Sequence, residues 1–299
     1  MMLCDTVIAA DYLSKLYPSF EIMQRMIARA HKFVLAPDMA AAADGLANNT
    51  EQILRIIPFC RLPFPVCWFE LAQADRPHFV AAPLHFEGAA SRPKRVGFLC
   101  FALPERQWQW FTVMCWSLTD PRSLFEANVS MITVQCNTKE PFKRPAGAGE
   151  PSLGKYADMH QAPFCPAELA GGIFKKGGEL RELAAQDWGG EIQFLFSLLG
   201  LLNSRNVAEH HDVDNTDYNK KRVKAGKPPL SSHTLLKIRP MHRQSFARPG
   251  RPPMSHDEIR SHFVSGHWKT RRTGLFWWNP FMRGNPARGT VSHDYEVTT

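Results

Sequence analysis

Two histidines and the cations beside them, near the carboxyl end of the chain, have the types needed for acid–base chemistry on RNA. The stretch SHFVSGHWKTRRTGLFWWNPFMRGNPARG, residues 261–289, holds five Lys or Arg, three Trp and no acidic residue. A histidine can pass protons at neutral pH, and a nearby cation can stabilise the charge of a phosphate during cleavage. The stretch therefore predicts a candidate catalytic site of a metal-independent ribonuclease, with four residues: His262, His267, Lys269 and Arg271.

Strand alternation allows two other interpretations of the same residues. Side chains at i and i+2 share a face of a strand, so His267, Lys269 and Arg271 are expected to point one way. Trp268 is then expected to point the other way, into the core. The cationic face can be a basic track that binds nucleic acid, or it can belong to a motif that only defines the fold.

The five-residue offset between the histidines predicts a break in the strand. On a regular strand His262 faces away from His267, so a shared site needs a bulge. Glycine tolerates the backbone angles of a bulge best, and we predict a bulge or kink at Ser265–Gly266. Such a kink would let Phe263 and Trp268 both face the core and would turn the two histidines outward together.

Positive charge is concentrated in one third of the chain. The net charge is +8, yet residues 1–204 carry 19 Lys or Arg against 20 Asp or Glu, while residues 205–289 carry 17 against 6. This asymmetry indicates a polyanionic partner, of which nucleic acid is the commonest, although a basic face can also bind an acidic protein or only aid solubility. The residues expected to bind nucleic acid are Lys220, Lys221, Arg222, Lys224, Lys227, Lys269, Arg271, Arg272 and Arg283.

Hydrophobic periodicity predicts an α+β fold with N-terminal helices packed on an antiparallel sheet. SFEIMQRMIARAHKFVL has helical spacing, and a second helix follows, broken near Gly45 and Asn49 and ended by Pro58. Residues 58–136 change to short runs rich in aromatic and β-branched residues, which indicate strands at hairpin-like spacing. Helical spacing returns over residues 192–202, where the thin polar face predicts a central buried helix.

The basic part of the chain is expected to be rich in strands. A charged loop at residues 220–227 precedes a strand at residues 232–239, and three further strand-like runs follow residue 258. Together with the change in charge, these patterns predict an α+β core domain at residues 1–204. A basic β-rich C-terminal region is predicted at residues 205–299.

Other kinds of site have little support in the sequence. The seven cysteines are scattered without a CxxC, and no GxGxxG, Walker or GxSxG motif is present, so we expect no cofactor and no metal. The stretch EHHDVDNTD, residues 209–217, has a spacing that fits no common metal site, and a solvated loop is expected there. The apolar run at residues 192–202 is too short to span a bilayer and no signal peptide is evident, so a cytoplasmic location without membrane contact is expected.

The spacing of the C-terminal motifs resembles a known family. Gly266-His267-Trp268 is followed by Trp278-x-Pro280 and a glycine turn. This order resembles a family of phage and plasmid proteins that includes a type V-A anti-CRISPR. LPFPVCWFELA is similar to a Pro-Trp-Cys strand of that family, and RVGFLCFAL to the strand that follows it. The resemblance implies that Gly266, Trp268, Trp278 and Pro280 form a structural motif.

The resemblance also implies a function. The characterised branch of the family blocks production of the type V-A CRISPR nuclease, acting on its message in a translation-dependent way. In that branch two arginines precede the glycine, where this chain has Val264 and Ser265. The implied protein is a phage-type regulator in the host cytoplasm that engages RNA, a ribonucleoprotein or a nascent chain and so inhibits a host defence protein.

Overall fold

The computed structural model describes most of the N-terminal half of the core and the strands of the C-terminal region. The described residues are 2–9, 18–78, 84–86, 89–91, 94–103, 106–117, 130–135, 162–163, 178–239, 260–264, 266–278 and 281–291. Their helices are α1 (Leu3–Ile8), α2 (Pro18–Arg29), α3 (Pro37–Ala47), α4 (Thr50–Ile56), α5 (Gly178–Leu202) and α6 (Thr216–Lys224). No helix in this part of the chain is long and apolar enough to cross a membrane.

Strands lie on most of the predicted strand-like runs, and also on residues 31–35 and 209–213, where a helix and a loop are predicted. In chain order they are β1 (His31–Leu35), β2 (Val66–Ala72), β3 (Leu84–Phe86), β4 (Ala89–Ser91), β5 (Arg95–Leu103), β6 (Arg106–Ser117), β7 (Ser130–Gln135), β8 (Ala162–Pro163), β9 (Ala208–Val213), β10 (His233–Ile238), β11 (Arg260–Val264), β12 (His267–Arg271), β13 (Gly274–Trp278), β14 (Phe281–Arg283) and β15 (Asn285–Val291). Helices and strands together confirm the predicted α+β class.

An eight-stranded sheet organises the larger part of the described chain. Its strand order is β8-β7-β6-β5-β2-β1-β10-β9. The pairs from β2 to β8 are antiparallel, as predicted, but β1 runs parallel to both β2 and β10. The sheet is therefore mixed. Its parallel pairs both involve β1, which lies between β2 and β10 and which the hydrophobic periodicity did not indicate as a strand.

Helices cover both faces of the sheet. On one face Phe33 stacks on Phe69 with ring centroids 5.2 Å apart, and Phe98 stacks on Phe194 of α5 at 6.1 Å. On the other face Trp68 belongs to a buried cluster with residues of α1 and α2. Ile192, Leu195 and Leu199 are buried along α5, and the predicted central buried helix is confirmed.

One local prediction is wrong, and a second is confirmed in part. The helical spacing predicts that the helix continues through HKFVL, but α2 ends at Arg29 and these residues form β1. Pairing on both sides buries Phe33 and Leu35, and this burial outweighs the helical spacing of the residues before them. The predicted break is present at Asn49 but not at Gly45, which lies inside α3. The Asn49 side chain caps α4 by accepting a hydrogen bond from the backbone N–H of Gln52.

The chain divides into two compact units. The first comprises Met1–Asn203 and Ala208–Ile238, and the second comprises Ser204–Val207 and Arg239–Thr299. The first segment of the first unit therefore ends at Asn203, beside the expected domain boundary at residue 204. The expected basic region 205–299 is nevertheless divided between the units, because β10 pairs with β1 and carries β9 into the large sheet.

Small sheets form the second unit. β11 lies between β14 and β15 in one sheet, antiparallel to β14 and parallel to β15, and β12 pairs with β13 in a two-stranded sheet. The strands confirm the β-rich character predicted for this end of the chain. Pro280, which the resemblance placed in the structural motif, lies outside the described residues.

Candidate nucleic-acid interface

The hairpin of β12 and β13 brings the predicted cations onto one face. His267 lies opposite Trp278, Lys269 opposite Phe276, and Arg271 opposite Gly274. Side chains on alternate positions point the same way, so these pairs share a face of the hairpin. The predicted grouping of His267, Lys269 and Arg271 is therefore confirmed.

Cations lie directly over aromatic rings on this face. The Nζ atom of Lys269 is 4.7 Å from the ring centroid of Trp278, and the guanidinium carbon of Arg271 is 5.3 Å from Phe276 and 5.8 Å from Trp278. The ring of His267 lies 6.2 Å from that of Trp278. Trp278 remains 38% exposed, and the sequence has no acidic residue from 259 to 293. The result is a solvent-facing surface of cations and aromatic rings, which we call the cation–aromatic face.

The opposite face of the hairpin is apolar and packed. Trp268 lies opposite Trp277, and their rings meet edge to face with centroids 4.9 Å apart. Leu275 and Trp277 are buried, whereas Trp268 is only half-buried, less than predicted. The Nε1 atom of Trp268 is itself buried and has no hydrogen-bond partner among the described residues. One packed face and one exposed face indicate that the hairpin presents its cations on a fixed support.

The four residues that precede β9 hold the hairpin in place. The side-chain amide of Asn206 donates to the carbonyl of Trp277 at 2.8 Å and accepts from the backbone N–H of Trp277 at 3.1 Å. The backbone N–H of Arg205 donates to the carbonyl of Leu275 at 3.1 Å. The contribution of this segment could not be predicted from the sequence, because a single Asn and a single Arg in a short loop carry no recognisable pattern.

No single regular strand joins His262 to His267, whereas the bulge or kink at Ser265–Gly266 stays a prediction, because Ser265 lies outside the described residues. β11 ends at Val264 and β12 begins at His267, and the two strands pair with different partners. The side chains of His262 and Phe263 lie outside the described residues. A catalytic pair of His262 and His267 therefore stays a prediction, as does any catalytic part for Lys269 and Arg271.

A second basic surface lies in the first unit. The charged loop predicted at residues 220–227 is wrong for most of its length, because Thr216–Lys224 forms α6. The carboxamide of Asn219 accepts from the backbone N–H of Leu230 and donates to the Leu230 carbonyl, and this local pairing favours the helix. No residue of α6 is buried. The predicted nucleic-acid residues are thereby divided: Lys220, Lys221, Arg222, Lys224 and Lys227 belong to the first unit, and Lys269, Arg271, Arg272 and Arg283 to the second.

A hydrogen-bonded relay in the first unit was not foreseen. The segment expected to be a solvated loop at residues 209–217 begins as the edge strand β9. There Asp212 accepts a 2.7 Å bond from the hydroxyl of Thr234, which lies 3.1 Å from Nε2 of His31. The His31 ring stacks on Phe64 with centroids 4.0 Å apart. No group of three or more His, Cys, Asp or Glu in the described ranges has the arrangement to hold a metal ion.

Acidification is expected to weaken the first unit through His31. Burial lowers the pKa of His31, against a smaller raising effect of Asp212 and with smaller lowering effects of His210 and Lys32. A histidine whose pKa is lowered by folding stabilises the fold above its unfolded pKa of about 6.5 and loses that contribution as the pH falls further. We expect His31→Phe, which keeps the stack on Phe64, to flatten the decline in unfolding free energy between about pH 7 and pH 5. Urea titrations at several pH values between 7 and 5 measure the unfolding free energy of both proteins. A decline with pH that is as steep in His31→Phe as in the parent protein would contradict the role given to His31.

Comparison of the chain with protein-family models, with curated proteins and with solved structures finds no match. What the fold and the site define is an α+β protein with a packed mixed sheet and a separate β-rich unit. That second unit exposes a cation–aromatic face. The arrangement has the chemistry of a surface for polyanions.

Proposed function

We propose that the chain is a phage-type regulator that engages RNA in the host cytoplasm and thereby suppresses a host defence protein. The observation that carries the proposal is the cation–aromatic face, where Lys269 and Arg271 lie over the exposed ring of Trp278. Cations supply the salt-dependent attraction to phosphates, and an exposed ring adds affinity for bases.

Helix α6 supports the proposal with a second set of cations. Lys220, Lys221, Lys224 and Lys227 are exposed, and the guanidinium carbon of Arg222 lies 5.9 Å from the ring centroid of the exposed Tyr218. Among the described residues, Lys220 forms an ion pair with Asp217 at 2.7 Å, and this pair lies within α6. Exposed cations on a short helix are suited to phosphate contacts that do not depend on sequence.

The anti-CRISPR-like part of the proposal rests on the resemblance of Gly266-His267-Trp268 and Trp278-x-Pro280 to the phage and plasmid family. In that setting the RNA belongs to a message under translation, and its loss would lower the amount of a host defence protein. The metal-independent ribonuclease and the module for an acidic protein partner remain alternative hypotheses, and one set of binding assays separates all three.

Replacing Lys220, Lys221, Arg222 and Lys224 together with glutamine is expected to weaken RNA binding and to flatten its salt dependence. Each lost phosphate contact lowers the slope of log K against log salt by about 0.7 to 0.9. Sequence preference should not change, because phosphate contacts carry none. Anisotropy titrations of a labelled RNA between low and high salt measure both quantities.

A matched control removes the same charge elsewhere. The variant Arg25→Gln, Arg29→Gln, Arg55→Gln and Arg61→Gln takes four exposed cations from the near-neutral part of the first unit. This control should leave the slope of log K against log salt almost unchanged. Equal losses of RNA affinity in both variants would show that net charge alone explains the effect.

The same assays separate the three hypotheses. An RNA affinity that does not vary with salt rejects the phosphate model. Cleavage of the RNA without divalent metal favours the ribonuclease, and tighter binding to polyglutamate favours the acidic protein partner.

A further inference from the structure

We propose that the cation–aromatic face binds single-stranded nucleic acid, with an unpaired base stacked on Trp278 and the flanking phosphates held by Lys269, Arg271 and Arg205. This inference rests on the proposed function and specifies its substrate class. It is carried by the geometry of the hairpin and of the segment Ser204–Val207, within the second unit alone.

Trp278 is exposed where its neighbour in sequence is not. Trp277 is 9% exposed and packs against Trp268, whereas Trp278 is 38% exposed on the opposite face. The exposed part of the indole gains hydrophobic stabilisation only when a planar ligand covers it. A nucleobase is such a ligand, because every base has a face that can stack on an aromatic ring.

The cations around the ring have the spacing of a backbone track. Lys269 and Arg271 are two residues apart on β12 and are therefore separated by about 7 Å along the strand. This separation is close to that of successive phosphates in an extended single strand. Trp278 pairs with His267, so Lys269 and Arg271 follow it in order along the hairpin. When a base covers Trp278, both side chains can turn from the ring to successive phosphates on that side of the base.

Arg205 extends the track at the end of the hairpin. Gly274, which lies opposite Arg271, has φ of +128°, and a Cβ atom at this position would lie 3.3 Å from Nε of Arg205. The guanidinium thus rests against the bare backbone of the glycine, close to the position of Arg271. A guanidinium group at this end of the hairpin suits a bidentate contact to a phosphate.

The composition of the face favours single strands over duplexes, and stacking on Trp278 accepts any base. In a duplex the bases are stacked on one another, so their faces are closed to Trp278. The residues that the structure describes on this face are His267, Lys269 and Arg271 beside the aromatic rings, and both cations lie over the rings, where phosphates flanking a stacked base can reach them. Unpaired bases of any type are the ligands it suits best.

The test compares Trp278→Leu with Trp278→Phe on single-stranded and duplex probes of about 12 nucleotides, a length within the range that one stacking domain covers. We expect the leucine variant to bind single-stranded RNA about 10- to 100-fold more weakly and the phenylalanine variant to stay within a few-fold of the parent protein. Duplex affinity should be unchanged in both. A single-stranded DNA of the same sequence shows whether the 2′-hydroxyl contributes.

Two controls keep this inference separate from the proposed function. Phe64→Leu removes an aromatic ring of similar exposure, 44%, from the first unit and should change no affinity. Arg205→Gln should weaken binding to single strands and lower the salt slope. If the parent protein binds RNA with strong salt dependence but Trp278→Leu binds as tightly, the stacking inference is overturned and the proposed function stands. If the parent protein binds no nucleic acid, both fail, and equal losses on single strands and duplexes also overturn the inference.

Discussion

Replacing Glu70 with leucine is expected to lower the free energy of unfolding of the first unit by about 3–5 kcal/mol. The carboxylate of Glu70 is fully buried on β2, where it accepts hydrogen bonds from the backbone N–H groups of Leu3 and Cys4 at 2.7 and 3.2 Å. It also accepts from Nε1 of Trp68 at 3.0 Å and from Arg95 at 2.7 Å. The substitution leaves these donors without an acceptor, and the first turn of α1 loses its anchor.

Urea unfolding of the full chain measures the effect, and limited proteolysis near α1 locates it. Glu70→Gln keeps the shape but places an amide where only acceptors fit, so it should cost about 2–3 kcal/mol. Glu21→Gln is the matched control, because the pair of Glu21 with Arg25 on α2 is exposed and such pairs contribute less than about 1 kcal/mol. If Glu70→Leu were no worse than the control, the anchoring of α1 would have to come from its apolar contacts alone.

The strands and the buried helix could be predicted because each carries its own pattern. The runs that form β2, β5, β6 and β7 are short, apolar and separated by turn residues, and the helix at residues 192–202 repeats its apolar positions every three to four residues. β1 could not be predicted in this way. Its five residues follow α2 after a single alanine and are fixed as a strand by partners more than 30 residues away on one side and about 200 on the other.

The part of the candidate site that could be predicted is the part that depends on the alternation of side chains along a single strand. The grouping of His267, Lys269 and Arg271 follows from the period of a strand, and the hairpin confirms it. The contribution of Arg205 depends on a contact with a residue almost 70 positions later, which no local pattern encodes. Helix α6 was missed for a related reason, since it is polar all round and is favoured by hydrogen bonds from Asn219 to Leu230 rather than by an apolar face.

A buried arginine provides the other large effect on stability. Arg76 is fully buried, and its Nε and Nη1 atoms lie 3.2 and 2.6 Å from carboxylate oxygens of Asp44 on α3 and Glu191 on α5. The guanidinium carbon also lies 4.3 Å from the ring centroid of Phe194. Arg76 therefore joins two helices that cover the same face of the sheet, and its removal leaves two buried carboxylates without this cation.

Arg76→Met is expected to cost about 3–5 kcal/mol at neutral pH and less in acid. Burial already raises the pKa of Glu191, while Arg76 opposes that rise, so the pKa of Glu191 should increase further in the variant. An acid whose pKa is raised by folding stabilises the fold below its unfolded pKa, and this contribution is lost as the pH rises through the folded pKa. The deficit of Arg76→Met relative to the parent protein should therefore be smallest near pH 4 and grow toward pH 7.

Urea titrations at several pH values measure that deficit, and two further variants identify its source. Arg76→Met combined with Glu191→Gln should have a deficit that depends less on pH, because the second substitution removes a buried acid that titrates. Arg55→Met, which breaks an exposed pair with Glu51 on α4, should show a small deficit at every pH. A deficit for Arg76→Met that is constant from pH 4 to pH 7 would attribute the cost to lost packing on Phe194 instead of to the stranded carboxylates.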